Sequence, residues 1–463
     1  MQHMQRRSFL ATMAALAAPA AAQTPMNVVV IVADDLGWSD LGCYGADLHE
    51  TPHLDRLASE GVRFTDAHSA APICSPTRAS IMTGKHPARL KMTIWHEGAL
   101  RPPGNNTKLI PAVSRPNLPL EEVTLGEVFR DRGYLTAAVG KWHLGDAGHY
   151  PETQGFDINI GGTHWGAPDT FFYPYRGNKH HGNETRYVPR LDGGKPGEYL
   201  TDRLTDEALK VIDRAGAQPF FLYLAHHAPH TPIEAKPELV EYYRKKLKPG
   251  MKHQNPVMAA MIHSLDESVG RVMKHLEARG LASRTALFFI SDNGGYIGRY
   301  ADMQVTNNAP LRSGKGSLYE GGIRVPLIAR VPGMAKGKTC AFPVVSTDLF
   351  ATVQEVAGAA GKANDGLSLV PLLKDPGAKL PRTELFFHYP HYYATTSPVS
   401  AIRSGDWKLL KYYEDGHTEL YRLDTDMVEA KDQAAAQPEL ARKLEARLDA
   451  WLKEMDANMP QRR

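Results

Sequence analysis

The chain has almost no surplus of one charge: 54 Lys and Arg stand against 51 Asp and Glu, leaving +3 over 463 residues. Nucleic-acid binding needs a concentrated basic face, so that class is excluded, and any site for an anion must come from a few cations focused at one place. Cysteine is equally scarce. Cys43, Cys74 and Cys340 cannot make a disulfide scaffold, and the odd count leaves at least one thiol to explain. Cys43 and Cys340 could pair or remain buried thiols. Internal repeats are absent, and no run beyond the N-terminal segment approaches the roughly 20 apolar residues that span a bilayer. With 42% hydrophobic and 23% charged residues the composition is globular. The length exceeds that at which a single core stops growing, so a large domain with a smaller companion is expected.

Residues 1–23 carry Arg6 and Arg7, no acidic residue, an apolar Ala/Leu/Met stretch and a small-residue exit near Ala20 to Ala22. This is the pattern of an export signal, with the folded protein outside the cytoplasm, periplasmic or secreted. Arg6-Arg7-Ser8-Phe9-Leu10 resembles a twin-arginine signal, the alternative being an ordinary secretory one.

From Met26 onward short apolar runs alternate with amphipathic segments, which predicts a large, mostly parallel sheet covered by helices on both faces. Strands are expected at 27–33, 135–139, 219–225 and 285–290, and helices at 51–61, 125–132, 198–215 and 256–279. After residue 378 the pattern changes to four strands without intervening helices, then a helix near 438–455 with Leu440, Leu444, Leu448 and Leu452 on one stripe. The expected organisation is a signal at 1–23, a catalytic domain at 24–378 and an antiparallel-sheet-plus-helix subdomain at 379–463. Residues 145–198, rich in Gly, Pro, His and aromatics, and 299–322 read as long functional loops; the shape of loops 93–118, 160–195 and 299–313 would set the substrate, with His96, His164 and Trp165 as candidate substrate readers or structural residues.

Four of the expected strands end in polar clusters: Asp34-Asp35, Lys141-Trp142-His143, His226-His227 and Asp292-Asn293. Parallel strands put their carboxyl ends on one side of a sheet, where open α/β sheets bind ligands. Asp and Asn after a strand usually make only turns, but four clusters together point to one site. Asp34, Asp35, Asp292 and Asn293 offer hard oxygen ligands, suited to Ca²⁺ or Mg²⁺ rather than zinc or copper; the flexible multi-oxygen set favours Ca²⁺ and leaves Mg²⁺ and Mn²⁺ open.

The most specific signal is Cys74-Ser75-Pro76-Thr77-Arg78, continuing to Thr83-Gly84. It resembles the C-x-P-x-R signature of type I sulfatases, in which the cysteine is oxidised to formylglycine. The resemblance extends in order through Val32 to Gly37, Thr51 to Ala58, Gly140 to Gly145, His227-Ala228-Pro229-His230, Ser291 to Gly295 and Gly314 to Gly322. Thr77 stands where Ser is common, which the core motif permits. Pro76 suits the first turn of a helix with Cys74 at or before its start, so free N–H groups and the helix dipole favour an anion there, and Arg78 lies one turn beyond Cys74.

The resemblance implies an alkaline phosphatase-like fold and hydrolysis of a sulfate ester, on a carbohydrate or a small aryl group. Hydrated formylglycine at 74 would attack sulfur, with Asp34, Asp35, Asp292, Asn293 and residue 74 around the cation. Lys141 and Lys315 would contact sulfate oxygens, and His143 would take the proton that releases sulfate. Lys315 or a histidine of the 227–230 block would protonate the leaving oxygen, His230 before His227. A formylglycine-generating maturation enzyme and the export machinery are the implied partners. The competing readings are a phosphonate monoester or phosphodiester hydrolase of the same superfamily and a catalytically inactive glycan-binding protein.

Overall fold

The computed structural model describes residues 25–180, 184–359, 361 and 364–463; the expected export signal lies outside the described residues. Asn27–Ala33 forms strand β1, buried along its whole length. Alternate residues serve opposite cores, Val28, Val30 and Val32 on one side and Val29, Ile31 and Ala33 on the other. This is why an unbroken β-branched run, rather than an apolar/polar alternation, marks a strand covered on both faces.

The chain continues through α1 (Pro52–Glu60), β2 (Val62–Phe64), α2 (Cys74–Thr83), α3 (Leu125–Arg130), β3 (Leu135–Gly140) and β4 (Ile158–Ile160). Then come α4 (Leu200–Ala215), β5 (Phe220–Ala225), α5 (Pro256–Ala278), β6 (Thr285–Ser291), β7 (Leu327–Arg330), β8 (Lys338–Cys340) and α6 (Thr347–Val356). Eight strands form one sheet in the order β8-β2-β7-β6-β1-β5-β3-β4. β6, β1, β5, β3 and β4 are parallel, and β7 runs against both its neighbours. The result is the expected large, mixed, mostly parallel sheet between helices.

Leu54 of α1, Leu204 and Val211 of α4 and Leu265 and Val269 of α5 pack on one face; Met82 of α2, Val128 and Phe129 of α3 and Val353 of α6 pack on the other. Helix starts follow local chemistry. Thr124 and Glu127 form a reciprocal capping box at α3, and Asn255 accepts from the backbone N–H groups of Val257 and Met258 ahead of α5, with Pro256 at its first position.

β9 (Glu384–Tyr389), β10 (Val399–Ser404), β11 (Trp407–Tyr412) and β12 (Thr418–Arg422) form a sequential antiparallel sheet. α7 (Pro438–Glu454) lays Leu444, Leu448 and Trp451 on Ile402, Leu409 and Leu420. The opposite face of this sheet, with Phe387, Val399 and Leu410, packs on Ile73 and Leu318, so it buttresses the residue before Cys74. Arg403 clamps Asp66 with bonds of 2.7 and 2.8 Å, and Lys408 binds Glu320 at 2.8 Å and Glu429 at 2.9 Å. All three cysteines are free thiols, Cys340 and Cys74 buried and Cys43 partly so. Among the described residues no helix is long and apolar enough to cross a membrane.

Candidate active site

Strand register builds the site. Ala33 pairs with Ser291, Val32 with Ala225 and Gly140 with Ala225, so β1, β6, β5 and β3 end level with one another. The residues that follow, Asp34 and Asp35, Asp292 and Asn293, His227 and His230, and Lys141 and His143, therefore emerge along one edge. Asp35 has a left-handed backbone (φ 62°), a conformation Asp tolerates better than most residues, and its N–H donates to Asp292 Oδ1 at 3.1 Å.

Against this edge stands the start of α2. Ile73 is extended and Cys74 is the first helical residue, so Cys74 stands at the helix end where first-turn N–H groups are left without intrahelical partners. Cys74 Sγ lies 3.6 Å from Asp34 Oδ1 and 3.5 Å from Lys315 Nζ. It is 2% exposed, and burial pushes its thiol up to about 12, against Lys141 and Lys315, so near neutral pH it is a protonated, weakly nucleophilic thiol.

Three carboxylates and three cations interlock here. Lys141 Nζ donates to Asp34 Oδ2 at 2.7 Å, Lys315 Nζ binds Asp35 at 2.7 Å, and Arg78 holds Asp292 Oδ2 through Nε at 2.9 Å and Nη2 at 2.7 Å. Burial raises the Asp34 carboxyl to about 7 despite Lys141. Burial works the same way on Asp292 and Asp35, but Arg78 and Lys141 on the first, and Lys315 and His230 on the second, outweigh it and hold both below the usual carboxylate range.

Carboxylate oxygens gather here with a thiol and an imidazole as candidate ligands for a cation. Asp34, Asp35, Cys74 and His230 bring one possible ligand atom each within 4.8 Å of one another. Asn293 Nδ2 donates to Asp35 Oδ1 at 2.7 Å, while its buried Oδ1 has no hydrogen-bond partner among the described residues. An orphaned buried amide oxygen beside clustered carboxylates is what an oxygen-seeking cation satisfies.

The histidines differ in what holds them. His230 Nδ1 bonds the carbonyl of Thr231 at 2.6 Å, and its Nε2 lies 3.0 Å from Lys315 Nζ and 3.5 Å from Asp35. Burial, helped by Lys315, pushes it down to about 3, so it is neutral with Nε2 accepting from the lysine. Neither ring nitrogen of buried His227 has a hydrogen-bond partner among the described residues, and burial holds it well below its ordinary value. His143, with a left-handed backbone (φ 60°), turns its Nε2 to Glu97 Oε2 at 2.6 Å, leaving a buried Nδ1 without such a partner. Burial lowers His143 to about 4 in spite of Glu97.

Cys74, His143, His230 and Lys315 line a cavity of about 190 Å³. Trp95, Glu97, Arg101, Arg186 and Tyr393 also line it, and none of these five was singled out from the sequence. His96, His164 and Trp165 do not line this cavity: His96 Nδ1 bonds the carbonyl of Pro116, His164 Nδ1 the hydroxyl of Tyr150, and Trp165 Nε1 donates to Glu184. The useful neighbours sit one position away, at Trp95, Glu97 and Gly166. Gly166 has no room for a Cβ, which would lie 2.3 Å from the His143 ring.

A wide α/β sheet with this second antiparallel sheet defines the class of alkaline phosphatase-like hydrolases. Residues 26–359 match the sulfatase family model, and residues 314–457 match the C-terminal region of N-sulphoglucosamine sulphohydrolase. The chain is 32% identical to a sulfatase of Formosa agariphila, covering 92% of this chain and 88% of that one. It is 36% identical to human (Homo sapiens) arylsulfatase A over 85% of this chain and 76% of that protein. Its fold also matches the crystal structure of Ps i-CgsB in complex with k-i-k-neocarrahexaose, with TM-score 0.73, 29% identity, and coverage of 92% and 93% of the two chains. The chain belongs to the sulfatase family and is a sulfuric ester hydrolase.

Proposed function

We propose that this enzyme removes sulfate from a carbohydrate sulfate ester, using formylglycine made from Cys74 and a divalent cation, Ca²⁺ before Mg²⁺ or Mn²⁺. The observation that carries the reading is the meeting of Asp34, Asp35 and Asp292 with Arg78, Lys141 and Lys315 around the Cys74 side chain at a helix start. The oligosaccharide bound by the structural relative Ps i-CgsB supports a carbohydrate substrate.

Formylglycine, once hydrated, supplies a hydroxyl nucleophile for sulfur and a route for expelling sulfate; the cation supplies positive charge to the sulfate oxygens. Asp34, Asp35, Asp292 and Asn293, with residue 74, would hold that cation. Lys141 and Lys315, paired with Asp34 and Asp35, would supply positive charge to the sulfate oxygens. Arg78 braces Asp292 and the carbonyl of Lys141. His143 presents Nδ1 as proton acceptor, its other nitrogen being fixed by Glu97. Lys315, whose Nζ donates to His230 Nε2, holds the proton for the leaving oxygen, with His230 relaying it; His230 lines the cavity, which favours it over His227.

Because Cys74 is buried in the folded chain, its oxidation by a maturation enzyme precedes folding, and export through the signal at 1–23 to the periplasm or exterior follows. Turnover of 4-nitrophenyl sulfate and sulfated sugars, compared with phenyl phosphonate esters, tests the reaction class. A strong preference for sulfate is expected, and a strong preference for phosphorus contradicts it.

A further inference from the structure

The cavity at Cys74 holds about 190 Å³, small beside the roughly 300–1,000 Å³ of ordinary ligand sites. A second cavity of about 440 Å³ adjoins it, and Trp95 and Arg101 line both. Together the two fall within the ordinary range. The second is walled by Pro102, Pro111 and Tyr392, with little charge besides Arg101. Tyr392 is fixed by bonds to the Leu109 N–H at 3.1 Å and to Glu414 at 2.6 Å, and Trp95 is set edge-on against Tyr393 at 5.8 Å. These contacts make a firm apolar trough leading out of the sulfate pocket.

The two arginines that line the Cys74 cavity differ. Arg186 is engaged by Glu184 at 2.8 Å and Glu97 at 3.5 Å. Arg101 is exposed, follows the short helix His96–Ala99, and its guanidinium has no hydrogen-bond or ion-pair partner among the described residues. An uncommitted guanidinium at the junction of two cavities is shaped for a planar or tetrahedral oxyanion, which it can grip with two parallel N–H bonds. In a chain of only +3 net charge, such a cation is a local rather than a general attraction.

We infer that the trough receives the sugar unit next to the one being desulfated, and that Arg101 reads an oxyanionic substituent on that neighbour, either a second O-sulfate or a carboxylate. The substrate class is then an acidic oligosaccharide of at least two units. This rests on the reading that the sulfate ester is carried on a carbohydrate.

The test is calorimetric binding of hexose disaccharides sulfated on one unit, each supplied with no charge, a carboxylate or a second O-sulfate on the neighbouring unit, to the wild type and to Arg101→Ala and Arg101→Lys. Arg101 is exposed, so both variants should fold. The wild type should bind one of the doubly anionic forms at least tenfold more tightly than the singly sulfated one. Arg101→Ala should cut that preference to threefold or less, and Arg101→Lys should keep part of it. Carboxylate and O-sulfate arms show which anion is read. Equal binding of all three sugars by the wild type, or an undiminished preference in Arg101→Ala, overturns the inference alone. Failure of every disaccharide to bind a protein that turns over 4-nitrophenyl sulfate overturns the carbohydrate reading with it.

Discussion

Glu97 Oε2 and His143 Nε2 meet at 2.6 Å, and that contact leaves Nδ1 as the unengaged nitrogen of the imidazole. Glu97 is itself pinned by the Gly166 N–H at 3.0 Å and by Arg186. Burial pushes its carboxyl up, but His143 and the Gly166 N–H outweigh this and hold it well below the usual range. An ionised carboxylate accepts the Nε2 proton, which leaves the Nδ1 lone pair available.

Glu97→Gln should therefore lower kcat by about 10²-fold with little change in KM, since proton transfer by a positioned base contributes on that order. The same change should move the acid limb of the rate profile downward, because Glu97 raises the His143 pKa and its loss lets burial depress it further. An unchanged acid limb would show that Glu97 only supports the fold.

The carboxylate cluster predicts a stabilising cation. Ca²⁺ at a hundred times its dissociation constant should add about 2.7 kcal/mol to the unfolding free energy, and chelation should remove it. Asp292→Asn should weaken the dependence of the melting temperature on Ca²⁺. A melting temperature indifferent to Ca²⁺, Mg²⁺ and Mn²⁺ contradicts the assignment.

Outside the site, His253 bridges Asp40 at 3.1 Å and Asp47 at 2.7 Å. Burial lowers its pKa, but the two carboxylates outweigh this and raise it above the ordinary histidine value. Its contribution to stability is then complete below the unfolded pKa of about 6.5 and is lost as pH rises through the folded value. His253→Gln should cost more melting temperature at pH 6 than at pH 9; an equal loss at both would remove the charged bridge from consideration.

The clamp between Asp66 and Arg403 joins the two sheets through buried charges. Asp66→Asn leaves Arg403 without its counter-charge and should destabilise the protein by about 3 kcal/mol in chemical denaturation, the cost of breaking one buried pair.

What could be read from the chain depended on how local each signal was. β1, β3, β5 and β6 are apolar runs of six or seven residues with a polar cluster behind each, so both the sheet and the convergence of Asp34, Lys141, His227 and Asp292 were legible. β2, β4, β7 and β8 have three or four residues, too few to show a period, and their place is set by pairing with distant strands. Glu97 lies in the four-residue helix His96–Ala99, Arg101 just beyond it and Arg186 in the two-residue strand Arg186–Tyr187, elements too short to show a period, and only tertiary contact brings Glu97 to His143. A carboxylate beside His96, in a loop already marked as shaping a site, was the one available hint.

The most direct measurement is the intact mass of the active, purified enzyme, with a peptide map of the segment holding residue 74. Formylglycine at that position predicts a loss of about 18 Da relative to the cysteine form, localised to residue 74, together with loss of activity in Cys74→Ala. A fully active enzyme carrying an unmodified Cys74 thiol would contradict the mechanism at its root.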